Sequence, residues 1–267
     1  MLYSQDNQDK YLETNIFKNI TTVLNKKYYF LTFGGPSQNY RNRVVQVTND
    51  IKKFNIFDYI YGYNDDTLKQ DNFFWKTHGN FLESNSRGYG YWLWKSYLVN
   101  KIMDKMNEGD ILLYCDVGCE FNLNGKNRLE EYLKIVENSN SGILTFFLPF
   151  LEHQWTKNDL FEYLKCSDEI KNSEHNISGI FFIKKCRNSV EFMKKCYDTC
   201  CNYNLINDSP SITQNHPEFK EHRHDQSVIS CLSKYYKSEK IADETYFEPY
   251  WEKDGAKYPI WAKRNKG

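Results

Sequence analysis

The sequence predicts a mixed α/β fold whose central, mainly parallel sheet is flanked by helices. Two observations carry that prediction. Short apolar runs of strand length alternate with longer segments that show a helical apolar stripe. The described alternation opens with a strand, a glycine-rich breaker, a helix and a second strand, which is how a doubly wound sheet begins.

Residues 9 to 24 read as an amphipathic helix, with Leu12, Ile16, Ile20 and Val23 on one stripe. That makes residues 1–25 a helical extension docked on a domain that spans 1–267. Tyr28 to Phe33 reads as a buried strand, ended by Gly34-Gly35-Pro36. Arg43 to Phe54 reads as a helix and Phe57 to Tyr63 as the second strand. Residues 91 to 106 form a helix with Trp94, Leu98, Ile102 and Met106 inward, closed by Glu108-Gly109-Asp110. Ile111 to Cys115 is a strand that delivers Asp116 at its carboxyl end. Ile143 to Leu148 is a further strand, and Ile177 to Ile183 another, broken by Gly179. Val190 to Cys200 and Gln226 to Tyr235 are helical. No internal repeat or long linker divides the chain.

Composition narrows the function. The chain has 267 residues, 40% apolar and 17% aromatic, enough for a large core. The mean hydropathy of -0.75 reflects surface Asn, Lys, Asp and Tyr. With 35 basic and 35 acidic residues there is no basic excess, which argues against a grip on nucleic acid. Eight cysteines in a chain of this length read as reduced thiols of a cytosolic protein. Cys196, Cys200 and Cys201 have only weakly zinc-like spacing, with no histidine beside them. Met1 to Lys10 is polar, unlike a signal peptide, and no run is long enough to span a bilayer. The expected location is the cytoplasm.

Ligands of doubly wound sheets bind beyond the carboxyl ends of the strands. Thr32, Phe33 and Gly34 are therefore candidate nucleotide contacts, although a plain turn would look the same. Three further segments carry chemistry. In Tyr114-Cys115-Asp116-Val117-Gly118-Cys119-Glu120, the period of two places Asp116, Gly118 and Glu120 on one side. Gly118 then leaves room for a phosphate or metal between two carboxylates. In Arg87-Gly88-Tyr89-Gly90-Tyr91-Trp92-Leu93-Trp94-Lys95, the glycines relax the backbone before a helix start, which favours phosphate. Arg87 and Lys95 add positive charge there, and Tyr91 and Trp92 could stack on a base or sugar. One of Trp92 and Trp94 must be core. In Glu221-His222-Arg223-His224-Asp225-Gln226-Ser227, Asp225 sits at a helix start, and His222 or His224 could ligate a metal beside it.

Taken in order, these three segments resemble a group of glycosyltransferases from bacterial surface-polysaccharide clusters and large DNA viruses. Trp155-Thr156-Lys157-Asn158-Asp159 and the turn Ile177-Ser178-Gly179 fit the same pattern, so the likeness covers about residues 28 to 245. The resemblance implies the GT-A fold of nucleotide-diphospho-sugar transferases. It also implies a UDP- or GDP-sugar donor and a glycan or other hydroxyl acceptor. Asp116 would hold Mn²⁺ or Mg²⁺ on the diphosphate, and Asp225 and Gln226 would face the sugar and acceptor. In an inverting enzyme Asp225 would be the general base; in a retaining one it would position the donor sugar. The sequence departs from the usual Asp-x-Asp, having Asp116-Val117-Gly118, so the second metal ligand shifts to Glu120, His222 or His224. Two other classes compete: a metal-dependent phosphoesterase using Asp116, His222, His224 and Asp225, and a non-catalytic carbohydrate-binding domain, a class that is usually all-β.

Overall fold

All but the first residue of strand β1 (Tyr28–Phe33) is buried, because the strand has a neighbour on each edge and a helical layer on each face. It pairs in parallel with β2 (Tyr59–Tyr63) and with β3 (Ile111–Cys115). The computed structural model describes residues 26–267, so the helix expected over 9 to 24 lies outside the described residues. Further along come β4 (Glu120–Phe121), β5 (Ile143–Leu151), β6 (Glu174–Asn176), β7 (Ile180–Lys184), β8 (Glu239–Ala242) and β9 (Ile260–Trp261). Seven strands make one sheet in the order β2-β1-β3-β7-β5-β6, with β8 pairing β5. Strands β2, β1, β3, β5 and β8 run one way, and β7 and β6 oppose them. The sheet is therefore mixed but mainly parallel. β4 and β9 form a separate antiparallel pair.

Alternation along the strands feeds two apolar layers. Tyr29, Leu31 and Phe33 face one side with Leu112 and Tyr114. Helices α3 (Leu93–Met103), α5 (Arg187–Cys200) and α6 (Asp225–Tyr235) close that layer. Phe30, Leu113 and Cys115 face the other side, covered by α1 (Gln38–Lys52) and α4 (Lys126–Asn138). Helix α2 (Asn72–Ser84) has no counterpart in the sequence reading. Asp71 caps it, accepting from the Phe74 N–H at 3.1 Å, and Phe74 and Leu82 are buried. Helix α1 begins at Gln38 rather than Arg43 because Ser37 Oγ accepts from the Tyr40 N–H.

The segment before α3 departs furthest from expectation. From Gly88 to Trp92, φ is +58, +50, +80, +52 and +60°, a turn of left-handed helix. Its amides bond in helical fashion, Tyr91 N–H to Arg87 O at 2.9 Å and Trp92 N–H to Gly88 O at 3.1 Å. Left-handed backbone costs about 1–2 kcal/mol for a residue bearing a Cβ, and Tyr89, Tyr91 and Trp92 all incur it. The helix expected from residue 91 therefore starts at Leu93, after the reversal of hand. Trp94 Nε1 locks the turn by donating to Gly88 O at 3.0 Å. Trp94 is the core tryptophan at 4% exposure, and Trp92 is partly exposed.

A Cβ at Gly88 would fall 2.3 Å from the Trp92 ring. Gly88→Ala should therefore lower unfolding free energy by more than the roughly 1–2 kcal/mol of left-handed strain alone. Chemical denaturation checks this, and a loss under about 0.5 kcal/mol, the usual range for featureless surface sites, would contradict the left-handed turn.

Candidate functional site

Asp116 stands just past β3, an inner strand flanked by β1 and β7. Its N–H donates to Gly179 O at 2.7 Å, which extends the β3–β7 pairing and fixes the backbone at the strand end. Tyr114, two residues earlier on the same face, donates its hydroxyl to Asp116 Oδ1 at 2.7 Å. Burial pushes the Tyr114 hydroxyl pKa well up, so it remains a donor. A Cβ at Gly179 would lie 2.9 Å from Asp116 Oδ2, so the bare backbone of the Ser178-Gly179 turn is what lets the carboxylate lie there.

Lys95 joins this strand end to the start of α6. Its Nζ lies 2.7 Å from Asp225 Oδ2 and 3.4 Å from Asp116 Oδ1. It also donates to the carbonyl and hydroxyl oxygens of Ser178, at 3.2 and 3.1 Å. The Ser178 hydroxyl in turn donates to Asp225 Oδ2 at 2.9 Å. Side-chain exposure grades outward, 2% for Lys95, 6% for Asp225 and 42% for Asp116, so only the last opens to solvent. Burial alone would lower the Lys95 pKa. The Asp116 and Asp225 carboxylates outweigh it and hold the ammonium above the ordinary lysine value. Lys95 was expected to touch a donor phosphate. It lies instead beneath the two acids and orients them.

The histidines divide. His222 Nε2 donates to Leu205 O at 2.8 Å, and its Nδ1 accepts from the Lys157 N–H at 3.3 Å. Both ring nitrogens are committed to backbone, which removes His222 from the expected ligand set. His224 Nδ1 donates to Ile206 O at 2.6 Å, while its Nε2 lacks a hydrogen-bond partner among the described residues and sits 3.7 Å from Asp208 Oδ1. The Tyr91 and Trp92 rings lie against it at 5.0 and 5.6 Å, so these two aromatics wall the histidine. His224 has φ 56° and ψ −125°, a strained bend that turns the chain into α6 with Asp225 as its first residue. The carboxylate at that helix start is favoured by the helix dipole. Gln226 follows, partly exposed.

Glu120 is not a free ligand. Its Oε1 accepts from Asn265 Nδ2 at 3.0 Å, and Lys263 Nζ lies 2.9 Å from its Oε2. Burial would raise its pKa, but these two partners win and lower it. Gly118 was expected to leave space for a phosphate or metal. The Arg264-Asn265 backbone fills that space: a Cβ on Gly118 would meet Arg264 Cα at 3.0 Å, and Asn265 N–H donates to Gly118 O. At the end of β1, Thr32 and Phe33 are buried, and Phe33 packs on Trp94 with centroids 3.9 Å apart. Gly34 is buried beneath the Tyr40 carbonyl, its N–H spent on Tyr63 O. Thr32 and Phe33 are enclosed and Gly34 has no side chain, so none of the three offers a side chain to a ligand. Arg87 is exposed at the rim, 3.3 Å from Asp208 and 4.0 Å from Glu221.

Sequence reasoning passed over Tyr114, Ser178 and Asp208 as site residues. The strand period placed Tyr114 with Asp116, and the Ile177-Ser178-Gly179 turn was visible, but only the fold shows that both touch the acids. Asp208 sits in a loop with no pattern to mark it.

No family model matches the sequence, and no curated protein matches it. Solved structures do. A glycosyltransferase involved in glycosylation of the major capsid of PBCV-1 aligns with a TM-score of 0.51 at 11% identity, covering 88% of this chain and 91% of that one. Mouse xyloside xylosyltransferase 1 in its apo form aligns at 0.43 and 10% identity, covering 90% and 95%. The likeness to the first is one of fold. The mixed, mainly parallel α/β architecture expected for a nucleotide-diphospho-sugar transferase is the one observed. Among the described residues no helix is long and apolar enough to cross a membrane.

Two outcomes follow. Lys95→Met leaves buried Asp225 facing Asp116 without the cation between them, and should reduce unfolding free energy by about 3–5 kcal/mol in urea; a loss below about 1 kcal/mol would show that the clamp does not hold the site. Burial lowers the pKa of His222 well below 6.5 and lowers that of His224 as well. Below pH 6.5 the unfolded chain therefore takes up protons that the folded chain refuses. Stability present above that pH should fall as the solution is acidified, by up to about 1.4 kcal/mol per pH unit for each ring. A flat stability profile between pH 7 and 5 would count against the buried neutral rings.

Proposed function

We propose that the chain is a glycosyltransferase moving a sugar from a UDP- or GDP-sugar to the hydroxyl of a glycan or similar acceptor. The observation that carries this is the Lys95 clamp. Two carboxylates from remote segments meet at the carboxyl end of a central strand, one of them open to solvent, within a fold shared with a glycosyltransferase. In the reaction the bond from the anomeric carbon to the donor phosphate oxygen breaks. The diphosphate departs with the electron pair of the broken bond, a bond to the acceptor oxygen forms, and the hydroxyl proton passes to the diphosphate or to solvent.

The residues accommodate a divalent ion only in part. With Glu120 and His222 engaged elsewhere, Asp116 Oδ2 is the oxygen of the expected set that makes no hydrogen bond among the described residues. Mg²⁺ is commonly held by one or two carboxylates together with substrate phosphates, and Asp116 suits that arrangement. Mn²⁺ or Mg²⁺ there would neutralise charge on the departing diphosphate. Arg87 at the rim adds positive charge. Burial raises the Asp225 carboxyl pKa against the lowering effect of the Lys95 ammonium and the Ser178 hydroxyl, but its side chain is 6% exposed and its Oδ2 already accepts from both donors, so Asp225 has little room to take an acceptor proton. It is better suited to orienting the donor sugar, with Gln226 beside it. The phosphoesterase alternative needs His222 and His224 among its metal ligands. His222 is bound to backbone on both sides, so that reading loses a ligand.

Asp116→Asn should cut transfer per folded molecule by at least about a hundredfold; it also removes one of the two counter-charges of buried Lys95, so the unfolding midpoint should fall, though by less than in Lys95→Met because the side chain is half-exposed. The assay is product formation from a panel of UDP- and GDP-sugars with and without Mn²⁺, alongside thermal shifts in the nucleoside diphosphates. Undiminished transfer by Asp116→Asn, or release of free phosphate with no transfer from any donor, would remove the proposal.

A further inference from the structure

A second cluster of metal-ligating groups lies outside this site. His153 belongs to the helical turn Glu152–Trp155 that follows β5, and is 5% exposed. Its Nδ1 contacts the Lys171 carbonyl oxygen at 3.1 Å. A carbonyl can only accept, so Nδ1 carries a proton, and Nε2 is left as the nitrogen able to hold a metal ion or a second proton. That Nε2 points at Glu218 Oε2, 3.4 Å away. An ionised carboxylate is only an acceptor, so a positive centre, a metal ion or a second ring proton, lies between Nε2 and Glu218. The His216 ring stacks on His153 with centroids 3.8 Å apart, and ligand atoms of all three residues fall within 4.8 Å of one another.

We propose that His153, His216 and Glu218 bind one divalent transition-metal ion, with zinc the best match. Tetrahedral zinc with bonds of about 2.0–2.1 Å separates its ligand atoms by roughly 3.4 Å. The His153–Glu218 pair already has that spacing. His153 is buried and oriented by its outer hydrogen bond to Lys171 O, the arrangement that ordinarily fixes a metal-binding imidazole. Gln154 Nε2 donates to Glu218 Oε2 at 3.2 Å and steadies the carboxylate. His216 is exposed, and its Nδ1 accepts from the Glu218 N–H at 3.2 Å; rotation of this ring out of its stack is the one rearrangement the site requires. An open cavity of about 400 Å³, lined by His153, His216, Asn158 and Lys171 among others, supplies the entry path.

The ion would pin the loop after α5 to the domain at its middle. That loop also carries Asp208, His222 and His224, and it ends in Asp225. Backbone bonds from Lys220 N–H to Gln154 O and from Arg223 N–H to Trp155 O already tether its far end to the same helical turn. The role is structural and stands apart from the transferase reading.

The test uses the whole chain stripped with chelator. Calorimetric titration with ZnCl₂ and thermal unfolding should show one equivalent bound and a raised melting temperature. Glu218→Gln and His216→Ala, both at exposed positions, should each weaken Zn²⁺ binding at least about tenfold and abolish the thermal shift. Asp116→Asn should retain both. Cobalt(II) substitution should give a tetrahedral spectrum without thiolate charge-transfer bands, which separates this site from the free cysteines. No Zn²⁺ binding by the parent chain, binding unchanged in the Glu218→Gln and His216→Ala double variant, or a thiolate spectrum overturns the proposal. An NMR titration in which His153 gains a second proton while Zn²⁺ has no effect also overturns it, because a proton would then fill the gap.

Discussion

A lysine ammonium with 2% of its side chain exposed must be surrounded by negative charge or give up its proton. That requirement on Lys95 organises the rest of the site. Lys95 is the third residue of α3, where the helix dipole disfavours a cation, so the demand for counter-charge is stronger still. Asp225, Asp116 and both oxygens of Ser178 meet it. The four residues come from α3, the end of β3, the turn into β7 and the start of α6. Satisfying one buried charge therefore fixes the relative placement of four segments that are remote in sequence. The same arrangement leaves Asp116, the outermost member, partly exposed to solvent.

Asp225 can serve in that clamp only if α6 holds its position, and a second buried charge cluster secures the helix. Glu152 is fully buried after β5 and accepts from Ser230 Oγ, 2.5 Å away, and from Lys234 Nζ, both on α6. His175 on β6 contacts its other oxygen at 2.8 Å. Burial would raise the Glu152 pKa, but His175 and Lys234 outweigh it and push the carboxyl far below its usual range. Asn176 adds a bond to Ser233 at 2.8 Å. Removing one partner from such a cluster strands a charge in the interior, so these contacts specify the register of α6 more firmly than apolar packing would. The helix is thus held along its length by Glu152 and at its first residue by Lys95.

The fold was legible where one interaction dominates each position. Strands β1 and β3 were placed to the residue, because fully buried strands are continuous apolar runs with sharp ends. Asp116 was found for the same reason, as the first polar residue after such a run, and Asp225 from its place at a helix start. Errors came where the outcome depends on contacts with remote segments. Helix α2 reads Asn-Phe-Phe-Trp-Lys-Thr-His-Gly-Asn-Phe, with an interior glycine and scattered aromatics that show no clean stripe. Glu120 and Gly118 looked like a ligand and a vacancy, but Lys263, Arg264 and Asn265 reach both, and nothing near residue 118 in sequence announces that. Lys95 looked like a phosphate contact because its charge was visible and its burial was not. His222 and His224 alternate as ligands might, yet each is recruited by a backbone carbonyl of the preceding loop.

The left-handed turn and the bend at His224 are best understood together. Each is strained, at about 1–3 kcal/mol per residue in so sparsely populated a backbone region. They lie on opposite sides of one contact, where the Tyr91 and Trp92 rings pack on the His224 imidazole. A right-handed start to α3 would direct those rings elsewhere, since side-chain direction follows the hand of the backbone. A relaxed residue at position 224 would aim α6 differently and withdraw Asp225 from Lys95. The strain persists because both sides are over-determined, by the Trp94 indole bonded to Gly88 O and by the His224 ring bonded to Ile206 O. Glycines at 88 and 90 reduce the cost on one side, since glycine enters the left-handed region freely. No glycine relieves His224, although its backbone is the more strained of the two. A histidine there is explained by what its ring does: one nitrogen anchors the loop, while the other, without a hydrogen-bond partner among the described residues, stays between two aromatics beside Asp208 and next to the acid that meets Lys95.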